Sequence, residues 1–297
     1  AEYNYSKFKI QKHQALIKAD KTTVNIGDVV TYTVKGSIPD TTGYAEYAYK
    51  IHDELTKGLD FVNNATGTAC TDNKVAVKSA FTNATDAGKA PTEATLDAEN
   101  NRKMSLDLSA WIRANQENKE KNSRYNYAKV NKDAEVTNNN KASLEYGNNP
   151  NDTTTTTPSE AKTPTYPLDI LEKAGIAGAT TEKLAGAKFK LYSNKTDADK
   201  NDDTKAIKVS PVTTGVAGNY VVDPTSSTTE FESVENIERK DYNLRVNGLA
   251  EGTYYLVETK APDGFNKLTA PVEIKITKIT DTDVNNWTIS KAGTVET

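Results

Sequence analysis

The chain has 297 residues, a formal net charge of −4 and only 36% hydrophobic residues. It is long enough for two domains with cores of their own, yet its acidity argues against a nucleic-acid partner. No apolar run approaches a membrane span or a signal peptide. A single cysteine, Cys70, rules out an internal disulfide, and two histidines, His13 and His52, fit poorly with a histidine-rich metal site.

From its opening at AEYNYSKF, without a methionine, the chain reads as a mature or excised fragment. Alternation at a period of two then predicts strands over VTYTVKGSI (30–38), YAYKIHDEL (47–55), RKMSLDLS (102–109) and KASLEY (141–146). A short helix is expected over AWIRANQEN, with Ser109 as its cap. The stretch GNNPNDTTTTTPSEAKTPTYP (147–167) has repeated threonine and proline and no apolar period, so it reads as a linker or long connection. Beyond it, strands are expected over AGAKFKLYS (185–193), NYVVD (219–223), YNLRVNGL (242–249), TYYLVET (253–259) and PVEIKIT (271–277). The polar SNKTDADKNDDTK between the first two reads as a solvated loop. Short strands punctuated by turn residues argue for an all-β fold of two tandem β-sandwiches.

Several polar residues fall in apolar registers. Glu258 follows Tyr254 and Leu256 on one strand face, and Asp53 follows Tyr47, Tyr49 and Ile51 on another. Asn140 lies among Val136, Asn138, Ala142, Leu144 and Tyr146. Lys12 shares a face with Phe8 and Ile10, and Lys173 shares one with Leu171. A single polar residue at a strand end often points past the rim of a core. A buried lone charge, by contrast, costs several kcal/mol or more. Lysine, carboxylate and asparagine together in one core make sense if they meet. Burial lowers a lysine pKa and raises that of a carboxylic acid, so both can be neutral. A neutral amine is a nucleophile, and an adjacent acid can polarise an amide and shuttle protons as ammonia leaves. The product is a Lys–Asn isopeptide bond, a staple in a chain that lacks disulfides.

The residues LAGAKFKLY (184–192) followed by YYLVETKAPDGF (254–265) resemble the Cna-B-like domain of Gram-positive surface proteins, the second stretch resembling the E-box of sortase-assembled pilins. TTVNIGDVVTYTV (22–34), YKIHDELTKGLDF (49–61) and NKASLEYGNNP (140–150) resemble the Cna-A-like middle domain of backbone pilins. The resemblance implies two immunoglobulin-like sandwiches, Cna-A-like over 1–163 and Cna-B-like over 164–297. It implies a bond from Lys12 to Asn140 with Asp53 as the promoting acid, Lys7 and Lys9 being the fallback amines. In the second domain it implies Lys173 as the amine and Glu258 as the acid. The asparagine partner of Lys173 is expected beyond residue 297, since NNWTIS reads as the penultimate strand and Asn285 and Asn286 as turn residues. The final strand and an LPxTG-type sorting signal are thus expected to be missing. The polymerising lysine of such pilins has a degenerate candidate in Lys7, although the usual spacing to Lys12 places it before residue 1.

The function so implied is a structural shaft subunit of a covalently polymerised, cell wall-anchored extracellular pilus. Its partners would be neighbouring pilin subunits joined by a pilus-specific sortase. The alternative is a tip or surface adhesin of the same modules that binds a host surface ligand. Self-linking is a single turnover, so no enzyme in the usual sense is expected, and no cofactor, metal, nucleic acid or membrane insertion. A glycosidase would pair two carboxylates, but Asp53 and Glu258 fall in separate domains. No Ser-His-Asp or Cys-His constellation and no phosphate loop is read from the sequence. Cys70 has only Lys74 near it to activate the thiol.

Overall fold

The computed structural model describes residues 14–81, 90–115, 121–131, 133–134, 138–174, 182–212 and 216–278. Twenty strands are described: β1 Leu16–Ala19, β2 Val29–Ser37, β3 Ala48–Leu55, β4 Leu59–Val62, β5 Lys74–Ala76, β6 Lys78–Phe81, β7 Glu93–Leu96, β8 Lys103–Asp107, β9 Lys121–Val130 and β10 Asn139–Gly147, then β11 Thr154–Thr155, β12 Ser159–Lys162, β13 Tyr166–Ile170, β14 Lys188–Tyr192, β15 Val209–Pro211, β16 Asn219–Val222, β17 Phe231–Glu232, β18 Leu244–Leu249, β19 Gly252–Lys260 and β20 Val272–Ile276.

They form two pairs of sheets. In the first pair, one sheet runs β1-β2-β9-β4 with β6 also on β9, and the other runs β11-β10-β3-β8-β7-β5 with β12 also on β10. In the second pair, one sheet runs β13-β18-β16-β15 and the other β17-β14-β19-β20. Neighbours are antiparallel except β16 and β18, which are parallel. Period-two patterning produces this layering, because each strand turns alternate side chains inward. Val30, Tyr32 and Val34 of β2 are fully buried, as are Leu106 of β8 and Leu144 of β10, while Phe189 and Leu191 of β14 and Leu244 and Val246 of β18 do the same in the second pair.

The stretch 147–167 is a long connection that is largely exposed up to Glu160 yet carries strands. Its threonines favour extended backbone, and β11 and β12 both add to the edge of β10, with Ala161 opposite Asn140 and Ser159 opposite Ala142. Three residues then separate β12 from β13, and of these Thr163 and Thr165 are buried. The expected helix is shorter than its polar tail suggested, spanning α1 Ser109–Ala114. Ser109 is not its cap, because its hydroxyl accepts from the Tyr49 N–H at 2.9 Å and ties the helix to β3. Nor is SNKTDADKNDDTK a plain loop. Asn194 caps α2 Lys195–Asp199 by accepting from Asp197 N at 3.2 Å. Asp202 then caps a 3-10 turn over Asp203–Lys205 through the Thr204 N–H.

Leu106 is fully buried between the two sheets of the first pair. Leu106→Ala is expected to cost about 2–5 kcal/mol through lost burial and a residual cavity, measured as a lower midpoint in urea.

Candidate functional site

The β3–β10 ladder builds the first candidate site. Its register sets Asp53 opposite Ala142 and Leu55 opposite Asn140. Asp53 and Asn140 therefore share the inward face as diagonal neighbours, a relation that brings side chains within reach across a sheet. Tyr47, Tyr49, Ile51 and Asp53 are buried in alternation, Asp53 being 2% exposed. Asn138, Asn140, Ala142 and Leu144 follow the same rule, with Asn140 at 0%.

The two buried asparagines differ in kind. Asn138 donates from Nδ2 to the Thr163 carbonyl at 3.3 Å, and its own carbonyl accepts from Thr163 N at 2.9 Å. Asn140 has no hydrogen-bond partner for Oδ1 or Nδ2 among the described residues. A buried amide left so costs roughly 1–3 kcal/mol for each unsatisfied group. Tyr32 lies close by, its hydroxyl 3.5 Å from Thr163 Oγ1. Burial pushes the Tyr32 phenol well above its ordinary value, and the charge of Asp53 adds to that push against the Thr163 hydrogen bond. An acid, an unsatisfied amide and a phenol are thus collected in one dry region.

Lys7 and Lys12 lie outside the described residues, as do Lys9, Asn285 and Asn286. The nearest described strand is β1, whose Ile17 N–H donates to Ser159 Oγ of β12 at 3.2 Å. Ser159 in turn pairs with Ala142 of β10, two residues from Asn140. β1 keeps Ile17 buried, as is Ala15 just before it, and turns Leu16 and Lys18 outward.

In the second pair of sheets, Tyr254, Leu256 and Glu258 of β19 share the buried face, each 5% exposed. A Glu258 oxygen accepts from the Leu268 N–H at 2.7 Å. The expected core register of Leu171 and Lys173 is corrected: both are exposed. The inward face of β13 is Tyr166, Leu168 and Ile170 in plain alternation, the irregularity opposite Tyr166 and Leu168 placing its extra residue on β18. After Ile170 the strand ends, and the residue in electrostatic reach of Glu258 is Glu172. Burial, and then the Glu258 charge, raise the Glu172 carboxyl from 4.5 to about 7. The backbone of Glu172 is clamped by the fully buried Asn243, whose Oδ1 accepts from Glu172 N at 2.8 Å. Asn243 Nδ2 lies at 3.1 Å from Glu172 O and 2.9 Å from the Leu184 and Val234 carbonyls. No pattern of alternation singles out Glu172 or Asn243. Asn243 in YNLRVNGL stands where a polar residue merely begins a strand.

A row of Ser105, His52 and Glu145 also went unread, because the fold brings together residues from three separate strands. His52 Nδ1 is 2.7 Å from Ser105 Oγ, and Nε2 is 3.4 Å from Glu145 Oε1. The row crosses the solvent face of β8, β3 and β10, where the facing backbone is engaged in the ladder. Cys70 is half-buried and 3.4 Å from the Phe61 carbonyl, and burial pushes its thiol up, which suits an inert thiol. Among the described residues, no group of three or more His, Cys, Asp or Glu could hold a metal ion, and no helix is long and apolar enough to cross a membrane.

The structure is thus two β-sandwiches in tandem, with polar residues set into dry registers. No curated protein matches the sequence. Residues 175–288 match the SpaA prealbumin-like fold domain. The whole fold is similar to the 35 kDa C-terminal fragment of GBS80, the major pilin of Streptococcus agalactiae, at 16% identity and a TM-score of 0.57, over 89% of this chain and 91% of that one. It is also similar to full-length RrgB, the major pilin of Streptococcus pneumoniae, at 16% identity and a TM-score of 0.57, over 90% of this chain and 69% of that one. Domains D2 and D3 of the major pilin SpaD of Corynebacterium diphtheriae match at 19% identity and a TM-score of 0.54, over 88% of each chain. The chain has the tandem immunoglobulin-like, all-β fold of Gram-positive major pilins.

The raised Glu172 carboxyl has a consequence for pH. Below 4.5 it is protonated both folded and unfolded; as pH rises toward about 7 the folded state holds a proton that the unfolded state has lost. The group's share of stability is therefore present at low pH and lost as pH rises through about 7. Thermal melts from pH 5 to 8 are expected to show Glu172→Gln gaining on the parent as pH rises, with the two converging toward pH 5.

Proposed function

We propose that the chain is a structural shaft subunit of a covalently polymerised surface pilus, and that its first sandwich is closed by an amide bond from Asn140 to an N-terminal lysine, with Asp53 as the promoting acid. The observation that carries the proposal is the fully buried Asn140 amide without a partner among the described residues, on the same face as buried Asp53. Polymerised neighbours, joined by a sortase at the cell wall, are what the resemblance to major pilins suggests for its partners and location.

The step balances simply. The neutral lysine Nζ attacks Asn140 Cγ, and protonated Asp53 holds the amide oxygen and stabilises the charge that develops there. One lysine proton passes through Asp53 to the departing nitrogen. Ammonia leaves, and an Nζ–Cγ amide remains. No oxidant or cofactor is needed, and the turnover is single.

The sequence nominates Lys12 as the amine. Lys12 lies outside the described residues. Lys18 stands on β1, which packs beside β12 and β10, but faces outward, and a one-residue slip of β1 would turn it to the core. For the second sandwich the sequence nominates Lys173 with Glu258. Lys173 is exposed and Glu258 faces Glu172, so the proposal stops at the first sandwich.

Intact mass under denaturing conditions is expected to fall short of the sequence by one ammonia. Peptide mapping should give one branched peptide containing Asn140, with Lys12 at the branch; Lys18 there would reassign the amine and keep the chemistry. Asp53→Ala and Asn140→Ala should each restore the full mass and lower stability by roughly 4 to 5 kcal/mol, the chain-entropy figure for closing a long loop. A full mass in the parent would sink the cross-link. The shaft role is tested separately in cells of the source bacterium. Antibody against the chain should detect an SDS-resistant ladder of multimers in cell-wall extracts, and a single monomer band would overturn that role.

A further inference from the structure

The segment between β1 and β2 does not stay with its own sandwich. Ile26 N donates to the Gly248 carbonyl at 2.9 Å, and Val24 N donates to Pro164 O at 3.0 Å. Asn25 Oδ1 accepts from Ala250 N at 2.9 Å and from the Tyr254 hydroxyl at 3.3 Å. Thr23 Oγ1 accepts from Glu251 N at 3.1 Å. Residues 23–26 thus grip the turn between β18 and β19 from both sides of its tip. The Asn25 backbone is itself held by Asp28, whose Oδ2 accepts from Asn25 N at 2.9 Å.

Apolar contact reinforces these bonds. Val24 is fully buried, Ile26 is 3% exposed, and both join the continuous hydrophobic core that runs through the two pairs of sheets. Two glycines permit the approach. Gly248 has φ +94°, and a Cβ there would overlap the Ile26 side chain. Gly27 has φ +95°, and a Cβ there would overlap Pro224. Both glycines therefore serve close approach as well as a left-handed backbone. Interfaces between domains of one chain are commonly polar and permissive of relative motion. This one combines directed hydrogen bonds, a buried Val–Ile pair and the buried Thr163–Thr165 connection.

We propose that Thr23–Gly27 acts as a plug that locks the two sandwiches into one rigid, cooperatively unfolding body, the second sandwich borrowing Val24 and Ile26 from the first to complete its core. The proposal stands on the junction alone and does not depend on the pilus role.

The test uses the full chain. In a Cys70→Ser background, spin labels are placed at the exposed positions Lys35 and Glu238 through Lys35→Cys and Glu238→Cys, and the distance distribution is measured. The parent should give one narrow distribution and one urea transition reported alike from both sandwiches. Combining Asn25→Ala with Ile26→Ser should broaden the distribution and split unfolding into two transitions, the second sandwich melting first. A broad distribution in the parent would overturn the proposal, whether or not the variant folds. So would a folded variant that keeps the narrow distribution and the single transition.

Discussion

The register of β3 against β10 is the constraint on which the candidate chemistry rests. A shift of one residue would send Asp53 to solvent together with Tyr49 and Ile51, and would dismantle the core with it. The aromatic and aliphatic side chains on these strands therefore hold the acid in place as a by-product of their own burial. β12 makes the arrangement dry by covering the free edge of β10, so that Asn140 is enclosed by a strand on each side. The position of an unsatisfied amide in this fold is thus set by hydrophobic alternation, with no dedicated polar scaffold.

The two sandwiches handle their buried asparagines in opposite ways. Asn243 in the second is clamped among backbone groups from three chain segments and joins the ends of β13, the approach to β14 and the chain after β17. It is a non-covalent tie, complete as it stands. Asn140 in the first has a comparable burial and, among the described residues, no comparable partners. Burial of an amide is unfavourable unless it is hydrogen-bonded, so the contrast separates a finished structural residue from one whose donor and acceptor are unused among the described residues.

Much of this was legible in the sequence where alternation was strong. Tyr47 through Asp53 and Tyr254 through Glu258 place one polar residue at the end of a clean apolar series, and the structure keeps those series inward. Reading was poorer where alternation was weak. β9 carries KNSRYNYAKV, mostly polar, yet it is the central partner of β2, because its neighbours on both sides supply the ladder. The Thr-rich stretch looked like a tether, since composition alone does not reveal that an adjacent edge was waiting for a strand. At Lys173 the error was one of phase. The apolar pair Ile170 and Leu171 offers two parities, and the regular alternation of Tyr166, Leu168 and Ile170 decides between them. Glu172, Asn243 and the Ser105–His52–Glu145 row are products of tertiary proximity, which a one-dimensional period does not encode.

The short passage from β12 to β13 has a geometric corollary. Three residues cannot span more than about 11 Å even when fully drawn out, and here Thr163 and Thr165 are buried. The chain between the sandwiches therefore holds no slack. Tension applied along the molecule would meet an almost inextensible segment at its middle, so any lengthening would have to come from tearing strands out of a sandwich rather than from uncoiling a spacer.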